Sequence, residues 1–180
     1  MSLDYVNTKI QTLREKADEL SKWFQSTVRN IDSDPNLSEA GKAAEREQFR
    51  VDIRSQLAAL RTQEEQIIEQ GINERMVRIE SRSGATSTDI IAFRDAQDRA
   101  DRLEKQADAL PVIDRALRQK DTSLAHAIFR RGLESNWRQV TDRFTQDHPD
   151  LADVVSELRT LVTRKENTFD RTATYAWLVR

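Results

Sequence analysis

Between Val6 and Ile31 the apolar positions of the chain keep one rhythm. Val6, Ile10, Leu13, Ala17, Leu20 and Phe24 lead to Thr27 or Val28 and then Ile31, at intervals of 4-3-4-3-4-3-4. A mean repeat of 3.5 residues keeps one seam of an α-helix facing one partner, so the pattern predicts a heptad helix over about Leu3–Asn30. Trp23 lies beside the seam and widens it. Asp32, Ser33, Asp34, Pro35 and Asn36 then interrupt the rhythm. Proline cannot continue a helix, and Asp, Ser and Asn favour local side-chain to backbone bonds, so a turn is expected there.

Ser38 is a suitable N-cap for a second helix, with Glu39 in the first turn where the helix dipole favours negative charge. That helix is expected over about Glu39–Glu80, along the apolar line Phe49, Ile53, Leu57, Leu60, Ile67, Ile68, Ile72, Met76 and Ile79. Gly71 costs roughly 1 kcal/mol relative to Ala and marks the place for a bend. A helix of roughly 40 residues reaches about 60 Å and overshoots the first. Residues 1–80 therefore read as a long antiparallel coiled-coil hairpin.

Ser81–Ser87 is the one linker-like stretch, and residues 81–87 are taken as the boundary. Thr86 with Asp89 resembles a capping box opening a third helix, which carries Phe93, Ala96, Ala100, Leu103 and Ala107. Pro111 is expected to end or kink it and to open a short helix with Ile113 and Leu117, closed by a turn at Lys120, Asp121 and Thr122. A fifth helix is expected to carry Ala125, Phe129, Leu133, Trp137, Val140 and Phe144 and to stop before Pro149. A sixth carries Leu151, Val154, Val155, Leu158, Leu161 and Val162. Residues 88–165 thus form a small helical bundle, and 166–180 a C-terminal tail. The expected fold class is all-α: a long antiparallel coiled-coil hairpin followed by a small helical bundle.

Composition supports long helices that bury only one stripe. Apolar residues make up 37% and charged residues 33%, and four Gly and three Pro leave little material for turns. The chain has no cysteine, which excludes disulfides, Cys-based metal sites and Cys nucleophiles. No apolar run approaches the roughly 20 residues that span a bilayer, and Met1 to Ile10 carries no signal-peptide apolar region. The expected compartment is the cytoplasm, with no membrane partner.

Chemistry was sought residue by residue. His126 and His148 are the two histidines, 22 positions apart, and neither has a Glu or His three or four residues away to form a helical metal pair. Acidic side chains alternate with basic ones, as in Arg94-Asp95, Asp98-Arg99 and Asp101-Arg102, the pattern of a solvated, ion-paired helix surface. No glycine-rich phosphate loop occurs. The reading is non-enzymatic, with no cofactor and no catalytic, metal or cofactor-binding residues expected.

Net charge is −2 and the pI near 5.8. Residues 159–180 depart from the average, with Arg159, Arg164, Lys165, Arg171 and Arg180 against Glu166 and Asp170. Such a cluster admits a nucleic-acid-associated accessory role as one alternative, although the overall pI argues against nucleic acid as the partner. The chain end also carries the apolar run Tyr175, Ala176, Trp177, Leu178 and Val179. It either packs on the chain's own helices or docks on another subunit, because aromatic anchors concentrate binding energy. The candidate partner-binding residues are thus Val6, Ile10, Leu13, Leu20 and Phe24 on the seam and Tyr175, Trp177 and Leu178 in the tail. The expected partner is a protein coiled coil or a second copy of the chain.

Two stretches, Asn36-Leu37-Ser38-Glu39-Ala40-Gly41-Lys42 and Asp89-Ile90-Ile91-Ala92-Phe93-Arg94-Asp95-Ala96-Gln97-Asp98-Arg99-Ala100, carry a resemblance. The chain resembles small helical proteins encoded among the head and structural genes of tailed phages and prophages of actinobacteria. The resemblance implies a virion-assembly context, with a scaffolding, capsid-associated or head-tail connector role, capsid or portal proteins as partners, and the virion as a second location. It implies no site residues. An intracellular helical adaptor that binds a partner coiled coil is the other alternative.

Overall fold

The computed structural model describes residues 2–82 and 90–176. Among these residues there are eight α-helices, one 3-10 turn and no strand. The helices are α1 (Leu3–Ser33), α2 (Glu39–Arg82), α3 (Ile90–Asp101), α4 (Gln106–Gln119), α5 (Thr122–Glu134), α6 (Arg138–Asp147), α7 (Ala152–Glu166) and α8 (Thr168–Ala176), with the 3-10 turn at Pro149–Leu151. No described helix is long and apolar enough to cross a membrane.

The fold is all-α, as the periodicity indicates. Ser2 caps α1 by accepting the Tyr5 N–H, and Ser38 caps α2 by accepting the Gly41 N–H. Between them the Asp34 side chain accepts the Asn36 N–H, the local bond that makes Asp a turn former. α1 and α2 run antiparallel: Asp32 pairs with Arg46, Trp23 with Phe49, and Arg14 with Glu64. The seam of α1 is buried at Val6, Ile10, Leu13, Ala17, Phe24 and Ile31, as the heptad spacing requires.

Contacts divide the chain into two units: Met1–Gln70 with Arg164–Arg180, and Gly71–Thr163. The division falls inside α2 and α7, whereas the sequence places boundaries at 81–87 and 166. Ser81 and Arg82 are the last residues of α2, and residues 83–87 and the Thr86–Asp89 capping box lie outside the described residues. The first unit has a core of Ala17, Phe24, Ile53, Leu57 and Tyr175, flanked by Leu20, Val28, Phe49 and Leu60. The second centres on Ile113, Ile128, Phe129, Val140, Phe144, Leu151 and Leu158. There α3 packs on α5, α4 on α5 and α6, and α5 on α6.

Two expected helices are each divided. The third stops at Asp101, and Ala107 belongs to α4, which contains Pro111 rather than beginning at it. Ala107 and Pro111 are both exposed, so water can bond the carbonyl that the proline leaves without an N–H partner. No Gly or Pro marks the break before α4. It is held from a distance, by Arg131 donating to the Leu103 carbonyl and by the Gln106 side chain accepting the Gln139 N–H.

The expected fifth helix is two, α5 and α6. Asn136 adopts the left-handed conformation at φ 55°, which Asn tolerates better than most residues. Its N–H bonds the Leu133 carbonyl while the Trp137 N–H bonds the Gly132 carbonyl at 2.7 Å, a Schellman ending. α6 then folds back closely on α5. A Cβ added at Gly132 would lie 2.9 Å from Cγ1 of Val140. The same ending closes α4: Lys120 has φ 56°, its N–H bonds Leu117, and the Asp121 N–H bonds Ala116. The Asp121 side chain then caps α5 through the Leu124 N–H.

Candidate interaction site

The first unit carries a buried polar cluster and an open groove. The polar cluster centres on Glu64, which has no exposed surface. Its carboxylate occupies a core position of α2, in register with Ile53, Leu57 and Ile68. A buried carboxylate is costly unless it is paired and hydrogen-bonded, and here it is both. Arg14 donates from Nε to Oε2 at 3.1 Å and from Nη2 to Oε1 at 2.8 Å, and the Tyr175 hydroxyl donates to Oε2 at 2.7 Å.

Arg14 also reaches Asp170 at 2.8 Å. Its bond to Glu64 holds the guanidinium pKa above the usual value, against the opposing effect of burial. Burial, followed by the bond to Glu64, raises the Tyr175 phenol. Tyr175 therefore stays protonated and remains a donor.

α8 is fixed at its other end by Arg171, 4% exposed, which donates to the carbonyls of Arg164 and Lys165 at 2.7 and 2.6 Å. Those are orphan acceptors at the C-terminus of α7, where a cation also suits the dipole. Arg164 bonds Asn7, Lys165 pairs with Glu69, and Arg171 approaches Glu65. Arg159 donates to Thr141 and Asp142. The cations that made residues 159–180 stand out are thus engaged with protein groups, apart from Arg180, which lies outside the described residues.

The groove runs along the hairpin. Lys16, Glu19, Leu20 and Trp23 of α1 and Gln56, Ala59 and Leu60 of α2 line an open depression of about 500 Å³. Trp23 is 48% exposed and is held edge-on against Phe49, with ring centroids 5.6 Å apart. The α2 wall, Gln56, Ala59 and Leu60, carries no charge.

These positions re-sort the partner-binding candidates. Val6, Ile10, Leu13 and Phe24 are buried within the chain, so the seam is already covered. Phe24 and Tyr175 meet in one cluster with Leu20 at its edge, and Leu20 alone of the seam candidates also lines the groove. Tyr175, 5% exposed, packs in cis. Trp177 and Leu178 lie outside the described residues.

Sequence reasoning passed over Glu64 because the apolar line steps from Leu60 to Ile67. The signal was the spacing itself: 57, 60, 64 and 68 keep the 3-4 rhythm, so a carboxylate sits where the seam demands burial. In the second unit the same reasoning passed over Arg75, 1% exposed, which bonds Glu157 and the Gly71 carbonyl. His126 is buried there against Phe144, and burial, then His148 and Arg130, lower its pKa to about 4.

The chain matches no protein-family model, no curated protein and no solved structure.

Proposed function

We propose that the chain is a non-enzymatic structural protein that works through helix–helix contacts, and that the open groove of the α1–α2 hairpin is its working surface. One observation carries the reading: a half-exposed tryptophan borders an open depression between two long helices, lined on the α2 side by Gln56, Ala59 and Leu60. Tryptophan is the residue most enriched among the anchors of protein interfaces, and a groove between helices suits the apolar face of a third. The strongly perturbed polar groups of the first unit, Arg14 of α1 and Tyr175 of α8, are engaged in holding α8 to the hairpin.

The likeness to phage and prophage structural proteins gives this reading its biological setting, the assembly of a virion with capsid or portal proteins as partners. An intracellular adaptor would use the same groove. The nucleic-acid reading is disfavoured by the pairing of Arg159, Arg164, Lys165 and Arg171 with groups of the chain itself.

A photo-cross-linking residue at position 59 tests the proposal, with the exposed position Asp153 as control. Protein adducts from position 59 and none from 153 are expected in cells that produce the chain. Equal labelling from both positions, or none from either, would contradict a working surface at the groove.

A further inference from the structure

The groove carries one more inference, which rests on the reading above and names the occupant. We infer that it takes a second copy of this chain, in a two-fold contact that sets Trp23 of each copy into the groove of the other.

The first argument is shape. A two-fold interface places one patch against itself, so the patch must hold both a projection and a recess. This one does. Trp23 stands on α1 at the edge of the recess with about half its surface in water, and Leu20, Ala59 and Leu60 supply the other apolar groups of the lining. An indole buries up to about 250 Å² on transfer into such a site. Trp23 is also preset, because its edge-on contact with Phe49 at 5.6 Å limits the rotamer freedom that binding would otherwise remove.

The second argument is charge. The lining includes one cation, Lys16, and one anion, Glu19, three residues apart on the same helix, with uncharged Gln56, Ala59 and Leu60 opposite. A patch of a single sign would repel its own copy. A patch with one charge of each sign can set Lys16 of one chain near Glu19 of the other, and the reverse pair follows from symmetry. Electrostatic complementarity of this kind selects the partner and its register more than it adds affinity. A nucleic-acid or strongly acidic occupant would find no net charge here to hold it.

Sedimentation equilibrium on the full chain is the test, with three exposed-residue variants whose folding is checked by circular dichroism. The wild type should associate to dimers in the micromolar range, and Trp23→Ala should weaken dimerisation about thirtyfold, the usual worth of an interface tryptophan. Lys16→Glu and Glu19→Lys, each alone, should weaken it, because two like charges then face two like charges. Mixing the Lys16→Glu chain with the Glu19→Lys chain should restore association as a heterodimer. That rescue separates a second copy from any other occupant and from a folding defect.

The inference is overturned if the wild type stays monomeric through high micromolar concentration, or if it dimerises and neither Trp23→Ala nor the charge exchange alters it. A monomer whose position 59 still cross-links a different protein sinks the second-copy inference and leaves the proposed function standing. A monomer that cross-links nothing sinks both.

Discussion

The hydroxyl of Tyr175 donates a 2.7 Å hydrogen bond to Glu64, joining the last turn of α8 to the middle of α2 across 111 residues of sequence. Because Glu64 has no exposed surface, the bond forms away from competing water. Tyr175→Phe keeps the ring among Ala17, Phe24, Ile53 and Leu57 and removes only the donor. It should cost about 1–2 kcal/mol. Truncation after Arg171 should cost more, about 3 kcal/mol, because it also removes the buried ring; that corresponds to a melting point lower by roughly 6–12 °C. Thermal denaturation of both variants checks this, and unchanged melting of the truncated chain would show that α8 adds nothing to the hairpin.

Arg14 and Glu64 should behave as a coupled pair. Arg14→Met leaves a fully buried carboxylate with a single donor, and should cost on the order of 3 kcal/mol. Adding Glu64→Gln removes the stranded charge and should recover part of that loss. A double-mutant cycle by urea unfolding measures the coupling. Strictly additive losses would mean that the two side chains do not interact in solution.

The α5–α6 corner rests on close approach. Gly132→Ala would put a methyl group 2.9 Å from Val140 Cγ1 and 3.2 Å from its Cβ, with backbone-anchored neighbours that have little room to yield. The expected cost is about 1–3 kcal/mol. Asn136→Gly, at a left-handed position, should be neutral or slightly stabilising, whereas Asn136→Val should destabilise. Comparing the three melting temperatures decides between a tight corner and a loose one.

The hairpin was legible in the sequence because each of its helices exposes one side and buries the other, so burial writes a period into the residues. The α5–α6 break was not legible by the same means. Leu133 and Val140 stand on opposite sides of the corner but face one core, so the apolar spacing runs on through the turn as though the helix were unbroken. Only Gly132 and Asn136 mark the turn, and an isolated Asn is a weak stop. The break before α4 has no local mark at all, since Arg131 and Gln139 hold it from 28 and 33 residues away. The groove is a property of two helices together. It depends on Leu20 and Trp23 of α1 sharing one depression with Gln56, Ala59 and Leu60 of α2, which follows from the register of α1 against α2.

His126 should make the second unit sensitive to acid. Buried against Phe144, it has its pKa lowered to about 4, against 6.5 for an exposed histidine. Between those values the unfolded chain binds a proton that the folded chain does not, so stability falls as pH drops from 6.5 toward 4. The full difference is about 3 kcal/mol. His126→Gln should flatten this part of the stability–pH curve relative to the wild type. Parallel curves for the two proteins would show that the ring titrates normally in the fold.

The claim that the hairpin groove is the working surface is tested most directly by the fluorescence of Trp23 itself. In a chain carrying Trp137→Phe and Trp177→Phe, Trp23 is the sole indole, and it starts half in water. Occupation of the groove should bury it and shift its emission to shorter wavelength as the chain is concentrated through the micromolar range. The shift should be lost when Lys16→Glu is added and regained on mixing with the Glu19→Lys chain. Emission that stays at the water-exposed wavelength while sedimentation reports association would place the contact elsewhere on the protein and contradict the account.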